Sequence, residues 1–225
     1  MRIFPFIQYF FYLGINWNWR IAFYILLHEI KGEKKYGIHT TGSNELKKMQ
    51  AQGIDISHAT VYMPASYLLL EELFPKIPAD HRNHFLDIGC GKGRALCVAA
   101  YHDFNNITGV DFSKEFCADA IANLNLVKCK YPSLEFSIIE KDAAQLEIPP
   151  DADCIFFFNP FDEVIMKAVA KNVSRSYQKN PRDIFIIYLN PLYKKIWLHT
   201  GYKEIYYTQR MKYMEAVILK KNSPG

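Results

Sequence analysis

An α/β fold, a parallel sheet with helices on both faces and an antiparallel close, is predicted by three observations. The first is a short apolar run, Phe85-Leu86-Asp87-Ile88, that breaks into alternate glycines, Gly89, Gly91 and Gly93, and re-enters a helix-like run at Ala95. Strand, glycine loop, helix is the opening half of a nucleotide-binding βαβ unit. The second is the alternation of strand-length apolar runs with helix-length periodic runs as far as residue 189, which is the pattern of a parallel sheet. The third is that Asp87, Asp111, Asp142 and Asn159 all fall at predicted strand ends. In such a sheet those ends share one edge, and ligands bind there, where the strand order reverses.

Composition limits the alternatives. The chain has 225 residues, half of them hydrophobic and 15% aromatic, enough for a sizeable core and unlike a disordered chain. Its net charge of +4 comes with no long run of like charge, so a protein or small molecule is favoured over a nucleic acid as partner. The five cysteines, Cys90, Cys97, Cys117, Cys129 and Cys154, form no C-x-x-C pair, and the seven histidines form no H-E-x-x-H. Reduced, mostly buried thiols in a cytoplasmic protein are expected, with no disulfide framework and no metal site.

Residues 1–56 read as an aromatic-rich helical extension and linker, ahead of a domain over 57–225. Residues 3–28 carry ten aromatics, from Phe4 to Tyr24. As a helix, or a pair broken near Gly14, they place Gln8, Tyr12, Asn16 and Arg20 on one line and leave the rest apolar. Such a surface calls for burial, on the domain or on a second copy as a homodimer. Peripheral contact with a membrane and a true span are the other readings, although Asn16, Asn18 and Arg20 interrupt the apolar stretch. The lysines of 31–42 suggest a solvated loop. A helix over 66–74 ends at Pro75 and Pro78.

Beyond the glycine loop, 106–111 reads as the second strand, ending in Asp111, a carboxylate placed to accept hydrogen bonds from ribose hydroxyls; Phe112 follows it. Its other reading is a helix cap. A helix follows from Ser113 to about residue 130, with Phe116, Ala120, Leu124 and Val127 on its core face. Residues 134–139 and 153–158 are the third and fourth strands, a helix spans about 162–177, and 183–189 is the fifth strand. The fourth and fifth strands end in Asn159-Pro160 and Asn190-Pro191, where each proline removes a backbone donor and is expected to leave the preceding carbonyl free. Two final strands close the sheet as an antiparallel pair.

The run D-x-G-x-G-x-G, Asp87 through Gly93, differs in spacing from the dinucleotide fingerprint G-x-G-x-x-G. It resembles the first motif of the class I S-adenosylmethionine-dependent methyltransferases, and the resemblance extends from about Tyr62 to the C-terminus. It implies a Rossmann-like three-layer sandwich with a mostly parallel seven-stranded sheet and an antiparallel last strand, and S-adenosyl-L-methionine as cofactor. It also implies a cofactor site of Asp87, Gly89, Cys90, Gly91, Gly93, Asp111, Phe112 and Asn159, with Asp142 and Ala143 at the adenine. Tyr62 and Ser66 would line the methionine end, and Tyr62, Phe158 and Phe161 are aromatic candidates for the sulfonium. Asn159-Pro160-Phe161 is similar to the N-P-P-Y motif with which amino-group methyltransferases hold a target nitrogen, so the resemblance gives these three the catalytic role; Asn190, at the end of the neighbouring fifth strand, is expected near Asn159 and to act in acceptor binding. The motif here is one proline short, which leaves the acceptor atom open. Two other readings remain at this point, an NAD-dependent oxidoreductase and a non-catalytic cofactor-binding protein tethered by its N-terminus.

Overall fold

The computed structural model describes residues 3–16, 18–41, 64–158, 161–210 and 214–224. Seven strands form one sheet: β1 (Phe85–Ile88), β2 (Asn106–Asp111), β3 (Glu135–Glu140), β4 (Cys154–Phe158), β5 (Ile184–Leu189), β6 (Lys203–Arg210) and β7 (Met214–Lys221). Their order is β3-β2-β1-β4-β5-β7-β6. The first five run parallel, and β7 runs against both β5 and β6. The order of the strands therefore reverses between β1 and β4, the switch point at which an α/β crevice opens.

Burial explains the strand sequences. β1, β4 and β5 are central and almost wholly buried, so they read as continuous apolar runs. β3 and β6 lie at the edges and alternate with polar residues. Helices α3 (Tyr67–Leu73), α4 (Arg94–Ala100) and α5 (Lys114–Lys128) cover one face, where Leu70, Leu96 and Leu124 pack on Phe85 and Phe156. Helices α6 (Glu163–Lys179) and α7 (Lys194–His199) cover the other, where Met166, Val173 and Trp197 pack on Leu86, Ile155 and Phe157. Phe116, Ala120, Leu124 and Val127 are all buried, as their spacing predicts.

The N-terminal stretch is a pair of helices, α1 (Ile3–Asn16) and α2 (Trp19–Tyr36). Asn18 caps α2 by accepting from the Arg20 N–H at 2.8 Å. The helix persists through Lys31, Lys34 and Lys35 to a left-handed Gly37 cap, which corrects the expected loop at this point. The lysines are exposed, but Glu29 and Glu33 on the opposite face are buried against the domain and keep the helix going. No helix among the described residues is long and apolar enough to cross a membrane.

Candidate cofactor site at the glycine loop

β1 delivers its chain into a loop in which Gly89, Gly91 and Gly93 all take positive φ, at 83°, 52° and 77°. At Gly93 the need for glycine is twofold. A Cβ there would be strained at that φ and would lie 3.2 Å from the backbone Cα of Ala120. The loop is pinned to the end of β2, since the N–H groups of Gly89 and Cys90 both donate to the Val110 carbonyl, at 2.8 and 3.0 Å. The Cys90 thiol is buried, within reach of where a Cβ on Gly109 would stand, so its side chain belongs to the core. Four of the five cysteines are buried and all are free, as expected.

Two carboxylates converge beneath this loop. Asp111 accepts from Gly91 N–H through Oδ2 and from Ser113 N–H through Oδ1, both at 2.9 Å. Burial raises its carboxyl to about 6, against the lowering effect of the Ser113, Gly91 and Phe112 amides. It is not the helix cap, because Ser113 caps α5 by accepting from Phe116 N–H. Asp87 is 2% exposed, and its Oδ1 meets no hydrogen-bond partner among the described residues. Burial, and then the Asp111 charge, push its carboxyl well above the ordinary range. A buried carboxyl oxygen with no partner is costly, and here it stands at the switch point of the sheet.

Asp142 and Ala143 lie just past β3, where exposed Asp142 caps a short turn by accepting from Ala144 N–H. Phe112 is 38% exposed beside Asp111. Phe158 is half-buried at the end of β4. Phe161 is buried on the α6 side, its ring edge-on to Phe157. Ser66 precedes α3 and makes no side-chain cap bond. β4 and β5 are neighbours, with Phe158 paired to Leu189, so Asn190 follows directly on the same edge. The Asn190 carbonyl is not left free, because positive φ there folds the chain back and Leu192 N–H donates to it at 2.8 Å. Tyr62, Asn159 and Pro160 lie outside the described residues, and with them the expected proximity of Asn159 to Asn190.

Sequence reasoning missed the support behind the loop. Arg94, the first residue of α4, is 3% exposed. Its guanidinium donates to both Glu29 oxygens, at 2.7 and 2.6 Å, to the Thr40 hydroxyl and to the Ala65 carbonyl. It also lies over the Tyr67 ring. Glu33 accepts from the Thr40 and Thr41 amides. Asn123 on α5 donates to the carbonyls of Lys92 and His39 and accepts from His39 N–H. The i, i+4 pair Glu29 and Glu33 in an apolar helix was the available signal, since buried carboxylates need a cation or amides to face.

Comparison with known proteins agrees with this geometry. Residues 85–180 match the family model described as a methyltransferase domain. Residues 85–180 are thus a methyltransferase domain, and the sheet is that of the Rossmann-like methyltransferase fold. S-adenosylmethionine is the cofactor of that family. The fold is also similar to a ribosomal protein L11 methylase from Lactobacillus delbrueckii subsp. bulgaricus, at TM-score 0.54 and 12% identity, over 75% of this chain and 84% of that one. A SAM-dependent methyltransferase from Aquifex aeolicus matches at TM-score 0.53 and 12% identity, over 77% of this chain and 97% of that one. No curated protein matches the sequence. The family replaces the oxidoreductase reading, in keeping with the glycine spacing and the antiparallel close.

Proposed function

We propose that this methyltransferase binds its cofactor across the β1–β4 switch point and methylates an amine or amide nitrogen of a protein or small molecule. The observation that carries the cofactor placement is the buried, unpartnered Asp87 Oδ1 beside the Asp111 carboxylate and the three-glycine turn. These groups fit the cofactor: a backbone without side chains for close approach, and two acceptors for its ammonium and ribose hydroxyls. When bound, S-adenosylmethionine supplies an electrophilic methyl group on a sulfonium. Asp111 would hold the ribose, the glycine loop with Asp87 the methionine end, and Asp142 with Ala143 the adenine.

The protein's remaining work is alignment and exclusion of water. A displacement that leaves a neutral thioether needs little general acid, and alignment alone can supply about 7–11 kcal/mol. Asn159, Pro160 and Phe161 are the residues proposed to hold the acceptor nitrogen, with Asn190 contributing to acceptor binding; the N-P-F sequence after β4 supports this. The test is transfer of a labelled methyl group from S-adenosylmethionine to a fractionated lysate, followed by identification of the methylated atom. Label on nitrogen is expected, and an Asn159→Ala variant should transfer about 10²–10³-fold more slowly with little change in S-adenosylhomocysteine affinity. Label on oxygen or carbon, or a fully active Asn159→Ala enzyme, would overturn the acceptor assignment.

A further inference from the structure

The α1–α2 pair leaves an apolar face uncovered among the described residues. On α1 it is Ile7, Phe11 and Ile15, at 47, 52 and 74% exposure; on α2 it is Trp19, Phe23 and Leu27, at 50, 58 and 39%. Each set advances by four residues, so each forms one line along its helix. The two lines meet where the Phe11 and Trp19 rings touch edge to face, 6.0 Å between centroids. The opposite sides of the helices are occupied. Tyr9, Leu13 and Ala22 form a small core between them, and Glu29 grips Arg94.

Charge sets the character of this face. The line Trp19, Phe23, Leu27 continues as Lys31 and Lys35, and the only other exposed residues of α2 are Arg20 and Lys34. Both acids of α2, Glu29 and Glu33, are buried, and α1 carries no charge at all. Of the four exposed cations, Lys35 pairs with Glu71 at 2.8 Å. Every exposed charge on the pair is thus positive and adjoins large aromatic and aliphatic side chains.

We infer that this face docks on the surface of an anionic lipid bilayer. An aromatic and aliphatic stripe flanked by lysine and arginine is the composition of a helix lying in the headgroup region, and basic residues there add attraction to anionic lipid. A second copy of the chain fits less well. Neither helix exposes a carboxylate that a second copy could offer to Arg20, Lys31 and Lys34, whereas an anionic headgroup layer answers all of them. Because Glu29 ties α2 to the start of α4, the docked face stands in a fixed relation to the glycine loop.

Flotation of the full chain with vesicles tests this, using phosphatidylcholine alone and equal parts phosphatidylcholine and phosphatidylglycerol. Binding is expected to the anionic vesicles, weaker to the neutral ones, and reduced by salt. The Phe11→Ser/Phe23→Ser double variant should lose about tenfold or more in partitioning, and Lys31→Ala/Lys34→Ala about tenfold to thirtyfold at low salt, with melting temperatures unchanged. Independently of any variant, brominated phosphatidylcholine in the anionic vesicles should quench the tryptophan fluorescence of the wild-type protein. Absence of flotation with no quenching would overturn the inference, as would flotation indifferent to both double variants. So would a dimer that Phe23→Ser converts to monomers while vesicles capture none of the wild-type protein.

Discussion

At Asp111, burial and hydrogen bonding oppose each other, and the balance makes the site sensitive to pH. An acid whose native pKa lies above its unfolded value of about 3.9 is more protonated when folded. Its contribution to stability is therefore greatest at low pH, falls as pH rises from about 4 to about 6, and stays low above that. With the carboxyl raised to about 6, the effect amounts to about 3 kcal/mol. Equilibrium unfolding of wild type and Asp111→Asn should show the variant gaining on wild type by about that much between pH 4 and pH 7. A parallel pH dependence would assign the titration elsewhere. Ligand donors favour the ionised form, so S-adenosylhomocysteine should bind more tightly at pH 7 than at pH 5. Calorimetry should find that gain absent in Asp111→Asn.

Among the elements, the tie between α2 and α4 makes a stability prediction. Glu29 and Arg94 are both 3% exposed in their side chains and meet at hydrogen-bond distance. Glu29→Ala strands a buried guanidinium, at a cost of about 3–5 kcal/mol, which corresponds to a fall of about 10 °C in melting temperature. The double variant Glu29→Leu/Arg94→Met removes both charges and should recover most of the loss in a thermal melt. If single and double variants melt alike, the pair is not the tie. The strands were readable because a parallel sheet buries both faces, as in Cys154–Phe158, and the loop because both positive φ and close packing call for glycine at Gly93. The reach of α2 was not readable. Lys31, Lys34 and Lys35 look like a loop in sequence, and only the fold shows Arg94 and the residue 40–41 amides waiting for Glu29 and Glu33. The Asn190 turn was hidden for a similar reason, since its carbonyl is claimed by a local bond that depends on φ.

Across the whole molecule, the edge on which strand ends converge is the common thread. Asp87, Asp111 and Asp142 lie more than fifty residues apart in sequence from first to last, yet the order β3-β2-β1-β4 lines them up along one rim. Fold and cofactor were legible because that order follows from right-handed crossovers and the glycine spacing. The acceptor was less legible, because specificity rests on few residues and the N-P-F sequence after β4 is one proline short of the motif it resembles. Cofactor binding at this edge is tested most directly by a calorimetric titration of the wild-type chain at pH 7 with S-adenosylhomocysteine and with NAD, repeated on Asp111→Ala. Heat is expected with S-adenosylhomocysteine and none with NAD, and Asp111→Ala should lose about 1.5–3 kcal/mol of affinity, the range for hydrogen bonds to a charged group. NAD binding without S-adenosylhomocysteine binding would contradict the cofactor, and an unchanged affinity in Asp111→Ala would contradict the role of Asp111 in holding it.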